Sequence, residues 1–240
     1  MTAKHLSKLW DWYAEAGCEN VYQVPAQRNH RYELSKLFLL VRGSVYLDLG
    51  CGTGGMFESI AEIIQPSVVH AADWSEQMLV IARVESERMQ IAGTTRFEFH
   101  LNDFSEKLPW PDSYFDGVVS NHVACYVTCG WKTHLRELAR VTKLGGYLYM
   151  GTLLKGWSFE SVLYIHGPWE IIKDPIPNLR GLKYRRILSK IFKEAKRQGA
   201  ELPPMRELMN SLKLLGYEDI SVVRTFWGGG LALRAKLTSK

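Results

Sequence analysis

Asp48, Gly50, Gly52 and Gly54 stand two residues apart in Val45-Tyr-Leu-Asp-Leu-Gly-Cys-Gly-Thr-Gly-Gly55. A carboxylate followed by a glycine-dense turn is a ligand-cradling pattern. Glycines let the backbone turn tightly and approach a ligand where a Cβ would collide. Gly50, Gly52 and Gly55 also satisfy G-x-G-x-x-G, the dinucleotide fingerprint. Asp48 separates the two readings, because an acid there repels a pyrophosphate and attracts an ammonium group. A second acid, Asp73, follows 25 residues later, where nucleotide-binding α/β folds place a carboxylate for the two ribose hydroxyls. As an acid at a strand tip, Asp73 is expected outside the core. Trp74 could lie against a flat base, and Met78 falls one helical turn inside, on the face nearest the ligand.

Proton-handling candidates lie further along. His122 and Tyr126 belong to Ser120-Asn-His-Val-Ala-Cys-Tyr126, and His166 to Tyr164-Ile-His-Gly-Pro-Trp169. An unperturbed imidazole titrates near 6.5 and suits a general base. The plainer reading of His122 is a histidine that lines the site and bonds to backbone; for Tyr126 it is packing under a lid. Cys125 and Cys129 would share a face if their stretch is helical. Neither they nor Cys18 and Cys51 show zinc-ligand spacing, so no metal site is expected. Cys51 reads as a small residue tolerated in a tight turn.

These residues need elements to hold them. Val45–Leu49 reads as a buried strand, and Met56–Ile64 as a helix ended by Pro66. Val68–Ala72 is a second strand, closed by Asp73. Ser75 is a good N-cap for a helix to about Ile91. Arg96–His100, Tyr114–Ser120 and Tyr147–Met150 read as further strands, with Trp131–Val141 as a helix before the last. Gly145-Gly146 reads as a turn. Met205–Leu215 is a helix stopped by Gly216, and Ile220–Phe226 with Leu231–Lys236 forms a closing hairpin. Leu6–Ala16 and about Asn29–Leu40 are helical and rich in aromatics.

Asp48-Leu-Gly-Cys-Gly-Thr-Gly54 closely resembles motif I of the class I S-adenosylmethionine-dependent methyltransferases. The resemblance is strong from Tyr46 to about Gly151 and moderate over the last thirty residues. It implies an α/β, Rossmann-like, mostly parallel seven-stranded sheet with a C-terminal antiparallel hairpin and helices on both faces. It implies S-adenosyl-L-methionine as cofactor, with the methionine moiety at the turn. The cofactor set would be Asp48, Gly50, Cys51, Gly52, Gly54, Asp73, Trp74, Met78, Asn102, Asp103, Phe104 and Asn121. Asp103 resembles the family residue that takes the adenine amino group; otherwise it caps a turn. Phe115-Asp116 resembles the family's "phenylalanine–aspartate" strand, which ends facing the transferred methyl. His122, Tyr126 and His166 are the catalytic candidates. The acid-or-Asn, double-Pro and aromatic run of many methyltransferases acting on DNA bases or glutamine is absent after that strand. This argues against those acceptors. The chain looks most like the small-molecule branch that includes ubiquinone/menaquinone biosynthesis methyltransferases. The expected reaction is methyl transfer to a small-molecule or lipid-like acceptor. The alternatives are a nicotinamide-dinucleotide oxidoreductase and a non-catalytic cofactor-binding protein.

Composition fits this reading. The chain has 240 residues, 46% hydrophobic and 23% charged, as for one soluble globular domain. Its expected parts are an N-terminal helical cap (1–42), a cofactor-binding core (43–152), a substrate-covering insertion (153–203), and a terminal helix and hairpin (204–240). Neither a disulfide framework nor a signal segment is visible, which points to a reducing, cytoplasmic setting. Asn178–Lys240 holds 14 basic and 5 acidic residues, so the net charge of +5 conceals an acidic remainder. Within it, Leu182–Arg197 forms a basic amphipathic helix. It reads as a plain lid or as a contact with an anionic membrane. No base-reading motif accompanies the charge, which argues against nucleic acid.

Overall fold

The computed structural model describes residues 3–17, 25–90, 95–156 and 187–240. Seven strands form one sheet in the order β3-β2-β1-β4-β5-β7-β6. They are β1 Val45–Leu49, β2 Val68–Asp73, β3 Arg96–Leu101, β4 Phe115–Asn121, β5 Thr142–Leu153, β6 Tyr217–Thr225 and β7 Gly230–Leu237. The first five run parallel, whereas β7 is antiparallel to both β5 and β6. The fold class expected from the sequence is therefore the observed one.

Strand periodicity divides the core. Leu47, Leu49, Val118, Leu148 and Met150 face one layer, where Leu135 and Leu138 of α5 (Trp131–Val141) and Leu208 and Leu212 of α7 (Met205–Leu214) cover them. Tyr46, Val69, Val119 and Tyr149 face the other, against Leu34 of α2 (Pro25–Ser35), the short α3 (Phe57–Ser59) and Leu79 and Ala82 of α4 (Glu76–Gln90). A third cluster forms a roof. There Leu6 and Tyr13 of α1 (Ala3–Glu15) meet Ile187, Leu188 and Ile191 of α6, a helical run over 187–197.

Several boundaries differ from the sequence reading. The expected helix Asn29–Leu40 is α2, shifted toward the N-terminus, because Pro25 is pre-set for a first helical position. The expected helix Met56–Ile64 is three α-helical residues followed by a π-helical stretch, Ile60–Ile64, which closes at a left-handed Gln65. The glycines at 145 and 146 do not end a segment. They lie inside the longer β5, opposite a register shift between Phe115 and Gly117 of β4, as a bulge permits. Residues 122–130 form turns rather than a helix, so Cys125 and Cys129 share no helix face.

Candidate active site

The turn after β1 is pinned to the end of β2. The amides of Gly50 and Cys51 both donate to the Ala72 carbonyl, at 2.8 and 3.0 Å. Asp73 clamps the same turn: its Oδ2 accepts from the Gly52 amide at 2.9 Å and its Oδ1 from the Ser75 amide at 3.0 Å. Asp73 is thus buried and structural as well as available, contrary to its expected place outside the core. Gly50 has φ +75, and a Cβ there would sit 2.1 Å from Val123 Cγ2. The site has no room for any other residue at that position.

Around this turn lies a pocket of about 970 Å³, counting its open mouth. Asp48, Gly50, Cys51, Gly52, Asp73, Trp74, Met78, Phe104, Asn121, His122 and Tyr126, all candidates from the sequence, line it. Trp74 and Phe104 stack at one end, with centroids 5.7 Å apart and planes at 17°. Gly54, Asn102 and Asp103 are not among the lining residues. Gly54 instead leaves space for Phe57. Asp103 Oδ1 accepts from the Ser105 amide at 2.9 Å, the turn-capping alternative. Asn102 Oδ1 is buried without a partner among the described residues. His166 lies outside the described residues. Cys51 is buried, and its thiol is held well above the ordinary value by that burial and by Asp73. Cys125 is likewise buried and pushed up to about 12. Neither is a nucleophile at neutral pH.

Other lining residues, which the sequence reading did not single out as site residues, come from the expected N-terminal cap and lid. Gln27 and Arg31 arrive from α2, Trp10 and Tyr13 from α1, and Leu188 from α6. The aromatic N-terminal cap and the amphipathic lid helix signalled such a roof. Its latch is a pair of hydrogen bonds: Asp11 Oδ1 accepts from Ser75 Oγ at 2.6 Å and from the Gln77 amide at 3.3 Å, while Ser75 Oγ accepts from the Met78 amide at 3.1 Å. Ser75 therefore N-caps α4 as expected, and α1 reinforces that cap.

Asp48 is buried beside Asp73. Desolvation first, and the neighbouring carboxylate second, push its carboxyl up to about 8. Burial pushes Asp73 up to about 6, against the pull of its backbone donors. Asp48 Oδ2 has no partner among the described residues. Across the floor, His122 follows β4 with φ +60, a left-handed conformation unusual for a side-chain-bearing residue. Its Nε2 is buried and also without a partner among the described residues. Burial and the adjoining His30 hold its pKa well below 6.5, so the ring is neutral and weakly basic. His30 stacks on it at 4.3 Å. His30 Nε2 lies 2.9 Å from Asn121 Oδ1, and its Nδ1 lies 2.9 Å from Thr225 Oγ1. A carbonyl oxygen only accepts, so Nε2 carries the proton and Nδ1 accepts from Thr225. Tyr126 packs edge-on against Trp10 at 5.0 Å and Phe192 at 6.1 Å.

A buried carboxylate oxygen without a donor fits a cationic ligand group. A glycine cradle at the strand ends fits close ligand approach. Both agree with S-adenosylmethionine, whose methionine moiety carries an ammonium and a sulfonium. A mostly parallel seven-stranded sheet with an antiparallel β7, and this pocket at its strand tips, is the fold of the class I S-adenosylmethionine-dependent methyltransferases. Residues 47–150, under half of the chain, match the family described as "Methyltransferase domain". The biotin biosynthesis bifunctional protein of Teredinibacter turnerae is 31% identical over 141 residues, covering 55% of this chain and 23% of that protein. The demethylmenaquinone methyltransferase of Listeria welshimeri is 34% identical over 127 residues, covering 49% of this chain and 48% of that one. The aligned stretch thus spans less than half of either relative. A solved S-adenosylmethionine-dependent methyltransferase structure from Thermotoga maritima shares the fold, with a TM-score of 0.62, 19% identity and coverage of 98% and 100% of the two chains. Among the described residues, no helix is long and apolar enough to cross a membrane.

Proposed function

We propose that the protein transfers the methyl group of S-adenosylmethionine to a small-molecule or lipid-like acceptor. The observation that carries this reading is the pair of buried, unpartnered atoms in one pocket, Asp48 Oδ2 and His122 Nε2. Leaving such atoms unsatisfied costs about 1–3 kcal/mol each, a cost that ligand groups offset when bound. The named activities of the two relatives support a metabolite-sized acceptor, and the absent double-Pro run argues against nucleobase and glutamine acceptors. In this reading α1, α2 and α6 cap a single domain. Free thiols at Cys51, Cys125 and Cys129 favour a reducing, cytoplasmic setting.

The cofactor supplies an already activated methyl on a sulfonium, so the chain's tasks are binding, alignment and exclusion of water. Asp48 takes the ammonium, and the Gly50–Gly52 turn lets the backbone come close. Asp73 keeps that turn on β2 and has lone pairs left for the ribose diol. Trp74 and Phe104 offer an aromatic slot for the base. Trp10, Tyr13 and Leu188 close the top and keep water out. Positioning of this kind can supply roughly 7–11 kcal/mol. His122, neutral and weakly basic, orients the acceptor and accepts a proton only from an acidic donor. Tyr126 shapes the acceptor side.

The test is calorimetry with S-adenosylmethionine and NAD, followed by a metabolite screen with methyl-labelled cofactor. Binding of S-adenosylmethionine and label transfer to a small molecule are expected. NAD binding in its place would establish the oxidoreductase alternative. Tight cofactor binding without transfer would establish a non-catalytic role.

A further inference from the structure

A second cluster of ligating side chains lies away from the pocket, at the sheet edge. In the β2–β3 register His70 stands beside Glu98, and Ala72 beside His100. The two-residue period therefore places His70, Glu98 and His100 on one face of the sheet. His70 Nδ1 and His100 Nε2 are 2.9 Å apart. Glu98 Oε2 is 3.6 Å from His70 Nδ1, and one ligand atom from each of the three residues falls within 4.8 Å of the others. Ligand atoms about 2.0–2.1 Å from a tetrahedral ion lie about 3.3 Å from one another. The observed separations bracket that value.

The surroundings hold the three donors in place. Glu98 divides its oxygens: Oε1 pairs with Arg96 at 2.6 Å, which leaves Oε2 turned toward His70. Trp110 and Phe115 stand edge-on to the His70 ring at 6.0 and 5.4 Å. Arg140 fixes the loop that carries Trp110 by donating to the Leu108 and Trp110 carbonyls at 3.0 and 2.9 Å. The result is a rigid, largely apolar wall behind the donors and a more open side at Glu98, whose side chain is 34% exposed.

We infer that His70, Glu98 and His100 form a three-ligand site for one borderline divalent cation, with zinc as the best fit and solvent at the fourth position. Two imidazoles and one carboxylate select zinc over magnesium, which prefers all-oxygen octahedral surroundings. His70 precedes Asp73 by three residues, about 10 Å along the strand. The ion would fasten the edge strand β3 to β2 and take no part in methyl transfer.

The experiment uses the full chain, stripped with a chelator and titrated with zinc and, separately, with magnesium. One equivalent of zinc and no magnesium should bind, and cobalt in place of zinc should give the visible absorption of a tetrahedral site. His100→Ala and the near-isosteric Glu98→Gln should each weaken zinc binding by at least about tenfold, with an unchanged circular dichroism spectrum and unchanged S-adenosylmethionine affinity. A plain hydrogen bond between His70 and His100 predicts none of this. Absence of zinc binding to the native sequence, or zinc binding undiminished in either variant, would overturn the assignment.

Discussion

At the residue scale, two buried carboxylates side by side couple cofactor binding to the release of a proton. The Asp48 carboxyl is raised to about 8 and that of Asp73 to about 6. Both folded-state values exceed the unfolded one, so their protonated forms favour folding and this contribution is lost as pH rises toward 8. The ligand-free protein should therefore melt at a lower temperature at pH 8 than at pH 6. An ammonium partner reverses the preference by drawing Asp48 into its charged form. S-adenosylmethionine affinity should rise from pH 6 toward about 8 and then fall as the ligand's own amine loses its proton, near 7.7–8.0. Calorimetry in buffers of different ionisation enthalpy should show proton release on binding below pH 8, and Asp48→Asn should remove the release and weaken binding. Gly50→Ala should abolish cofactor binding, since its Cβ would sit 2.1 Å from Val123 Cγ2; equilibrium dialysis checks it. Asp48, Gly50 and Asp73 were legible in the sequence because the ligand's chemistry prescribes their types at fixed spacing. Gln27 and Arg31 were not, because they reach the pocket through packing of a helix whose own sequence carries no ligand pattern.

At the scale of elements, the tip of β4 depends on α2 and β5. A Cβ on Gly151 of β5 would lie 2.1 Å from Asn121 Oδ1 and 2.5 Å from His30 Nε2. Gly151→Ala should thus break the His30–Asn121 hydrogen bond and destabilise the fold by about 1–3 kcal/mol, the usual scale for overpacking. In a double-mutant cycle with His30→Ala, read by urea unfolding, the two costs should add to less than their sum, because both remove the same contact. Strands and major helices were legible from alternation and caps, as with Trp131–Val141, whose bounds match. The π-helical stretch was not, since its apolar spacing passes for ordinary helix. Gly145-Gly146 misled because a bulge and a turn use the same residue type.

At the scale of the whole molecule, charge and packing point different ways on α6. Ile187, Leu188, Ile191 and Ala195 are buried in the roof, while Lys190, Lys193, Lys196 and Arg197 face outward; Arg185 and Arg186 lie outside the described residues. The apolar face is already in use, so attachment to a bilayer would rest on charge alone. Flotation should show capture by anionic vesicles at low salt, loss at high salt and no capture by neutral vesicles. Charge reversal at Lys190, Lys193 and Lys196 should abolish it without altering cofactor affinity. The mostly parallel sheet with its closing hairpin was implied by the family resemblance, but its strand order was not read from the sequence. A cap and a lid were expected, but not that α1 and α6 pack against one another, because they meet only in three dimensions. That roof also bears on pace. Asp11 holds α1 to Ser75 and Gln77 by hydrogen bonds, and a cofactor that left beneath α1 would have to break both. On the proposed methyl transfer, such a release step predicts a pre-steady-state burst of methylated product before slower turnover, and the absence of a burst excludes it. Asp11→Ala removes both bonds, so it should shrink any burst relative to the steady-state rate and weaken cofactor binding; stopped-flow kinetics and calorimetry check the two effects.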